Sequence, residues 1–151
     1  MDNKKSIDAL QLFITALSEG AFVHKVQGQI FKSQGFTKLA TKYIGHYTEE
    51  MEWVEKFTDR ILDLGGEVKV EEHKARELIN DPIEYVKADL AIQRPGVDLL
   101  RKCMLSISED ITTFNLLKDY LADEEEDLYW SEEQLDLIEK IGVQNWLVTQ
   151  L

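Results

Sequence analysis

Cysteine occurs once in the 151 residues, as Cys103, so no internal disulfide can form and the chain suits a reducing, cytoplasmic compartment. That cysteine reads as a small buried hydrophobe. Proline occurs twice and glycine eight times, too few for the many tight turns of an all-β domain. No uninterrupted apolar run approaches the roughly 20 residues of a membrane span. The Met1 to Ser6 start leads into an amphipathic stretch and does not resemble a signal peptide. Positive charge is scarce as well: 17 basic against 29 acidic residues leave a net charge of −12, which repels phosphate backbones and attracts cations. Neither a nucleic acid nor a membrane is expected as a partner. A phosphate-binding loop, a dinucleotide glycine fingerprint, a CxxC pair and a GxSxG elbow are all missing.

What is present is helical periodicity. Apolar residues make up 44% and charged residues 30%, an ordinary globular mixture, and the length predicts a single domain over residues 1–151. From about Ile7 to Phe31, the positions Leu10, Leu17, Ala21, Gly28 and Phe31 share one helix face. A second stripe runs Tyr43, Tyr47, Glu50, Val54, Phe57, Ile61 and Leu64, and stops at Gly65-Gly66. The polar stretch to about Asn80 is long enough to return along a bundle, with room for a short helical turn. Asp81-Pro82 then supplies an N-cap and a first-turn proline. The third stripe is Val86, Leu90, Gln93, Val97, Leu100, Met104, Ile107, Ile111 and Phe114, with a kink expected at Pro95-Gly96. After a break expected near Thr112 to Asn115, a fourth stripe runs Leu117, Leu121, Glu124, Leu128, Ser131, Leu135 and Ile138 to Gly142, and Val143 to Leu151 suffices for a short fifth helix. The fold predicted is all-α: a ferritin-like four-helix bundle with a long crossover between the second and third helices and a short C-terminal fifth helix.

Polar residues on those stripes mark a candidate site. Glu50 and Glu124 should point inward, where an unpaired charge costs several kcal/mol, so they call for a cation or protons. Gln93 lies on the third stripe, and His24 falls between Ala21 and Gly28 on the first. Asp127 follows Glu124 by three and His46 precedes Glu50 by four, each pair on one side of its helix. Glu50, Glu124, Asp127, Gln93 and His24 are therefore the candidate metal ligands. His46 is expected half-exposed or at an interface, and His73 in the crossover is expected in water.

Three segments carry a family resemblance. ADEEEDLYWSEEQLDLIEKIGVQNWLVTQL (Ala122 to Leu151) resembles the last helices of bacterioferritins, EEMEWVEKFTDRILDLGG (Glu49 to Gly66) resembles their second helix, and FKSQGFTKL (Phe31 to Leu39) resembles the turn before it. The similarity extends over nearly the whole chain, with a short deletion near the junction of the third and fourth helices. Bacterioferritins hold a di-iron centre with one glutamate from each of two helices and a Glu-x-x-His pair from each of the other two. The resemblance carries the first pair onto Glu50 and Trp53, the second onto Glu124 and Asp127, and the single glutamates onto Leu17 and Gln93. Two of six positions match. Leucine and tryptophan bind no iron and glutamine is a weak neutral ligand, so a conventional ferroxidase centre is not expected. By the same resemblance, Met51 occupies the place of the methionine that binds haem between two subunits.

The resemblance thus implies a cage subunit for iron binding and storage with a degenerate ferroxidase centre and residual oxidation at most. The alternative is a silent subunit that co-assembles with an active ferritin or carries haem. Phe22, Phe36, Trp130 and Trp146 lie off the main stripes and predict assembly, as a homo-oligomer or with another ferritin chain.

Overall fold

The structure, a computed structural model, describes residues 3–151; Met1 and Asp2 of the amphipathic start and of the single domain lie outside the described residues. Four long helices and one short one follow in order: α1 (Asn3–Ser33), α2 (Thr37–Asp63), α3 (Pro82–Ser106), α4 (Ile111–Ile141) and α5 (Val143–Val148). Their ends follow local chemistry. Gly35 and Gly142 adopt φ of 92° and 84°, the left-handed region that glycine enters without steric cost, and they close α1 and α4. Asp81 caps α3 by accepting from the backbone N–H of Ile83 and Glu84 at 2.8 and 3.1 Å. Pro95 lies inside α3, which continues through it.

The break between α3 and α4 falls at residues 107–110, earlier than the stripe suggested. Ile111 and Phe114 therefore belong to α4. Asp110 decides the boundary, because its carboxylate accepts from the backbone N–H of Thr113 and is itself held by Arg60 at 2.9 Å. Residues 66–80 contain no helical turn. Glutamines on α1 pin this crossover instead: Gln11 exchanges two hydrogen bonds with the Lys69 backbone, Gln27 does the same with Ile79, and Gln34 donates to Asn80 O. The crossover thus runs the length of α1 and delivers α3 parallel to α2. Side-chain pairs agree: His46, Trp53 and Arg60 on α2 meet Asp127, Asp123 and Asp110 on or beside α4 in descending order, so α2 and α4 are antiparallel. Arg94 and Arg101 meet Glu132 and Glu125, so α3 and α4 are antiparallel as well.

By length and composition alone α1 is apolar enough to cross a membrane, yet Leu10, Phe13, Leu17, Ala21 and Phe31 are buried within the bundle. The core has two main clusters, one around Leu10, Leu17, Phe57 and Leu117 and one around Phe31, Tyr43, Tyr85 and Trp146, with a small third at Leu90, Val97 and Leu128. Of the four off-stripe aromatics, Trp146 is covered within the chain itself: α5 folds back, buries the indole completely, and lets its N–H donate to Gln134 at 3.0 Å. Phe22 stays 65% exposed, and Phe36 and Trp130 are half-buried. Cys103 is half-buried against the first cluster, and burial pushes its thiol pKa up.

Gly28 sets the approach of α1 to α2. A Cβ there would stand 2.6 Å from Ile44 Cγ1 and 3.2 Å from the Ala40 carbonyl, closer than packed atoms tolerate. Gly28→Ala should cost about 1–3 kcal/mol of stability. Denaturant unfolding checks this; an unchanged midpoint would show that the helices separate freely.

Candidate metal centre

Between the two core clusters lies a cavity of about 180 Å³. Its polar lining includes His24 from α1, Glu50 from α2, Asp89 and Gln93 from α3, and Glu124 and Asp127 from α4. All five candidate ligands read from the stripes therefore border one space. Exposed Leu12, Ile92 and Leu99 form its outer rim between α1 and α3.

His24 is the hub. Its Nδ1 lies 2.5 Å from Glu50 Oε1 and its Nε2 3.0 Å from Asp89 Oδ1, so the ring bridges three helices. Burial alone would lower its pKa, but Asp89 and Glu50 outweigh that and hold the imidazolium well above its ordinary value. His46 sits beside it, ring centroids 5.3 Å apart, and is buried, against the expectation of half-exposure. Its burial has a cause: Tyr43 packs edge-on at 5.6 Å and Trp130 at 6.5 Å. Desolvation, then the His24 charge, push the His46 pKa down to about 3, so its ring is neutral. Asp127 Oδ1 stands 3.4 Å from His46 Nε2 without hydrogen-bond geometry, and that nitrogen has no hydrogen-bond partner among the described residues. His73 is exposed in the crossover.

The carboxylates are crowded. Burial, with Glu50 next, raises the Glu124 pKa well above its ordinary value. Burial raises Glu50 too, with the His24 charge opposing it, and burial with Asp123 pushes Asp127 up to about 8. Buried like charges reach neutrality by taking up protons, or cations, in place of one another. Asp89 Oδ2, Gln93 Oε1 and the Tyr43 and Tyr85 hydroxyls also lack hydrogen-bond partners among the described residues, a concentration of orphaned polar atoms around one cavity.

A search of known proteins gives this arrangement its context. The ferritin-like domain pattern matches residues 7–141. The chain belongs to the ferritin-like family. It is 36% identical to the bacterial ferritin of Neisseria meningitidis over 136 residues, covering 86% of this chain and 84% of that protein. It is 33% identical to the bacterioferritin of Streptomyces coelicolor over 138 residues, 90% and 80% of the two chains. With the bacterial ferritin of Pseudomonas aeruginosa the identity is 29% over 148 residues, 96% of each chain.

Against the family's ligand pattern, the two apolar replacements are structural. Leu17 is 4% exposed within the first core cluster, and Trp53 packs on Phe57 and Tyr120 while its N–H donates to Asp123 at 2.9 Å. Hydrocarbon thus fills two of the six places, and the residues present do not fit a two-iron centre. They do offer two imidazoles and several carboxylates for a single ion. Sequence reasoning missed Asp89, which is buried at 5% exposure. It lies four residues before Gln93, and that spacing was the available signal. Met51 is 38% exposed on α2 and does not border the cavity.

Proposed function

We propose that this chain is a subunit of a bacterioferritin-like cage that binds and stores iron, with a degenerate ferroxidase centre that holds at most one metal ion tightly. The observation that carries this reading is the pairing of core packing at Leu17 and Trp53 with a cavity walled by Glu50, Glu124, Asp89 and Asp127. Family membership supplies the cage and the iron, and the net charge of −12 favours cation uptake. Iron oxidised slowly in solution would then accumulate by nucleation on acidic inner surface. Exposed Phe22 and Leu105 offer apolar area for contacts between subunits.

The test is aerobic addition of Fe(II) to the metal-free protein. Slow absorbance growth, a large particle by light scattering, and a melting temperature raised by Fe(II) are expected. Glu50→Gln with Glu124→Gln should abolish that rise; in the metal-free bundle Glu124→Gln relieves carboxyl crowding whereas Glu50→Gln gives up the buried pair with His24. A stable monomer, or an unchanged response in the double variant, contradicts the proposal. The exposure of Met51 favours a second reading, haem held between two subunits. A Soret band after purification supports it. Inertness toward both iron and haem would instead identify a silent co-assembling subunit.

A further inference from the structure

We propose that His24, His46 and Glu50 form a single-ion site for a divalent transition metal of the zinc class, displaced along the bundle axis from where the family pattern places its ligands. This deepens the reading of a metal-binding interior given above and rests on it. One ligand atom from each of the three residues lies within 4.8 Å of the other two, close enough for a small side-chain adjustment to enclose an ion.

The displacement has a common direction on three helices. On α2 the histidine stands one turn before Glu50, at His46, where the family pattern puts it one turn after, at Trp53. On α3 the acid stands one turn before Gln93, at Asp89. On α1 the ligand-bearing residue stands two turns after Leu17, at His24. The polar contacts establish that α2 and α3 run parallel, and His24 meeting Glu50 while Gly28 meets Ile44 sets α1 antiparallel to both. Earlier on α2 and α3 and later on α1 are therefore the same direction, toward the turn between α1 and α2. One turn is about 5.4 Å.

Two buried, unpartnered polar atoms in and beside this cluster point to a ligand. His46 Nε2 and Asp89 Oδ2 have no hydrogen-bond partner among the described residues, in side chains that are 3% and 5% exposed as residues. Leaving such atoms unpaired is costly unless something occupies the space between them. In the metal-free chain the His24 imidazolium donates from Nδ1 to Glu50 and from Nε2 to Asp89; an entering cation displaces the Nδ1 proton to solvent and takes its place between Nδ1 and Glu50, while Nε2–H keeps its bond to Asp89. The rings are already held, because Tyr43 stacks on His24 at 5.7 Å and packs against His46. Two imidazoles and a carboxylate suit zinc, cobalt and iron(II), and among these such a donor set binds zinc more tightly than iron(II). Asp89 completes the shell or orients His24.

The experiment uses the full assembled protein stripped with a chelator. Titration calorimetry with zinc chloride should give one tight ion per chain, and cobalt(II) should develop visible absorption bands. His46→Gln should weaken zinc binding by at least about tenfold and remove the cobalt bands, while Glu52→Gln, at an exposed carboxylate on the same helix, leaves both nearly unchanged. Should His46→Gln fail to assemble, anomalous diffraction from zinc-soaked wild-type crystals decides, with a peak expected between His24, His46 and Glu50. Wild-type affinity in His46→Gln overturns the proposal, as does a peak at Glu124 or at the more exposed Glu49, Asp123 and Asp127 group. The two readings fail separately: iron accumulation without this zinc site leaves the storage function standing, and zinc binding without iron accumulation removes it.

Discussion

Leu17→Glu combined with Trp53→His should increase the rate of Fe(II) oxidation by an order of magnitude or more, a change that needs only about 1.4 kcal/mol off the barrier. The two substitutions restore a carboxylate on α1 and an imidazole on α2 where core packing now excludes a second metal. They also open space, since the indole gives up its packing on Phe57 and Tyr120 and its bond to Asp123. The metal-free variant should be less stable by about 3–5 kcal/mol, because a buried, unpaired carboxylate replaces a leucine that is 4% exposed. Fe(II) should recover much of that loss, as a ligand bound only by the folded state does. Leu17→Ala with Trp53→Phe is the control: it perturbs the same packing without supplying ligands and should not accelerate oxidation. Stopped-flow absorbance on folded protein measures the rate, and no gain over wild type would count against the degenerate centre.

Asp127→Asn should stabilise the metal-free protein near pH 8 by about 1–4 kcal/mol and confer little at pH 4. In the folded chain, burial and Asp123 keep this carboxyl protonated up to about pH 8, whereas its ordinary pKa is 3.8. Between those values the folded state binds more protons, so its contribution is complete below the lower pKa and is lost as pH rises through the upper one. Asparagine removes that loss. His46 has the opposite sign: with its pKa pushed down to about 3 from 6.5, its contribution is complete above 6.5 and is lost as pH falls toward 3. Melting curves from pH 4 to 8.5 should therefore show the variant and wild type diverging only as the pH rises, with a shared acid limb. A variant less stable than wild type at every pH would mean that the Asp127 carboxylate is held by favourable partners in the fold.

The helices were legible because their stripes and terminators agree. Asp81-Pro82 and Gly142 mark boundaries that the backbone respects. The break before α4 was not legible from periodicity, since Ile107, Ile111 and Phe114 keep a spacing of four and three across it. The polar Ser108-Glu109-Asp110 triplet was the better guide, with Asp110 the capping residue. Stripe position located Glu50, Gln93 and Glu124 at the cavity because an inward face is a property of one helix. Asp89 and His46 escaped for another reason. Asp89 neighbours the apolar Leu90 on its helix, and the burial of His46 comes from Tyr43 and Trp130, the latter on another helix. The burial of Trp146 likewise depends on α5 turning back over α4, which follows from tertiary packing and not from a six-residue sequence.

The central claim is that one ion replaces two. Anaerobic titration of the chelator-stripped protein with Fe(II), followed by equilibrium dialysis at micromolar concentration, measures the tight stoichiometry directly. A single tight equivalent per chain is predicted, with further iron bound weakly by exposed acids. Two tight equivalents per chain would contradict the account, since Leu17 and Trp53 fill two of the six ligand places that a two-ion centre uses.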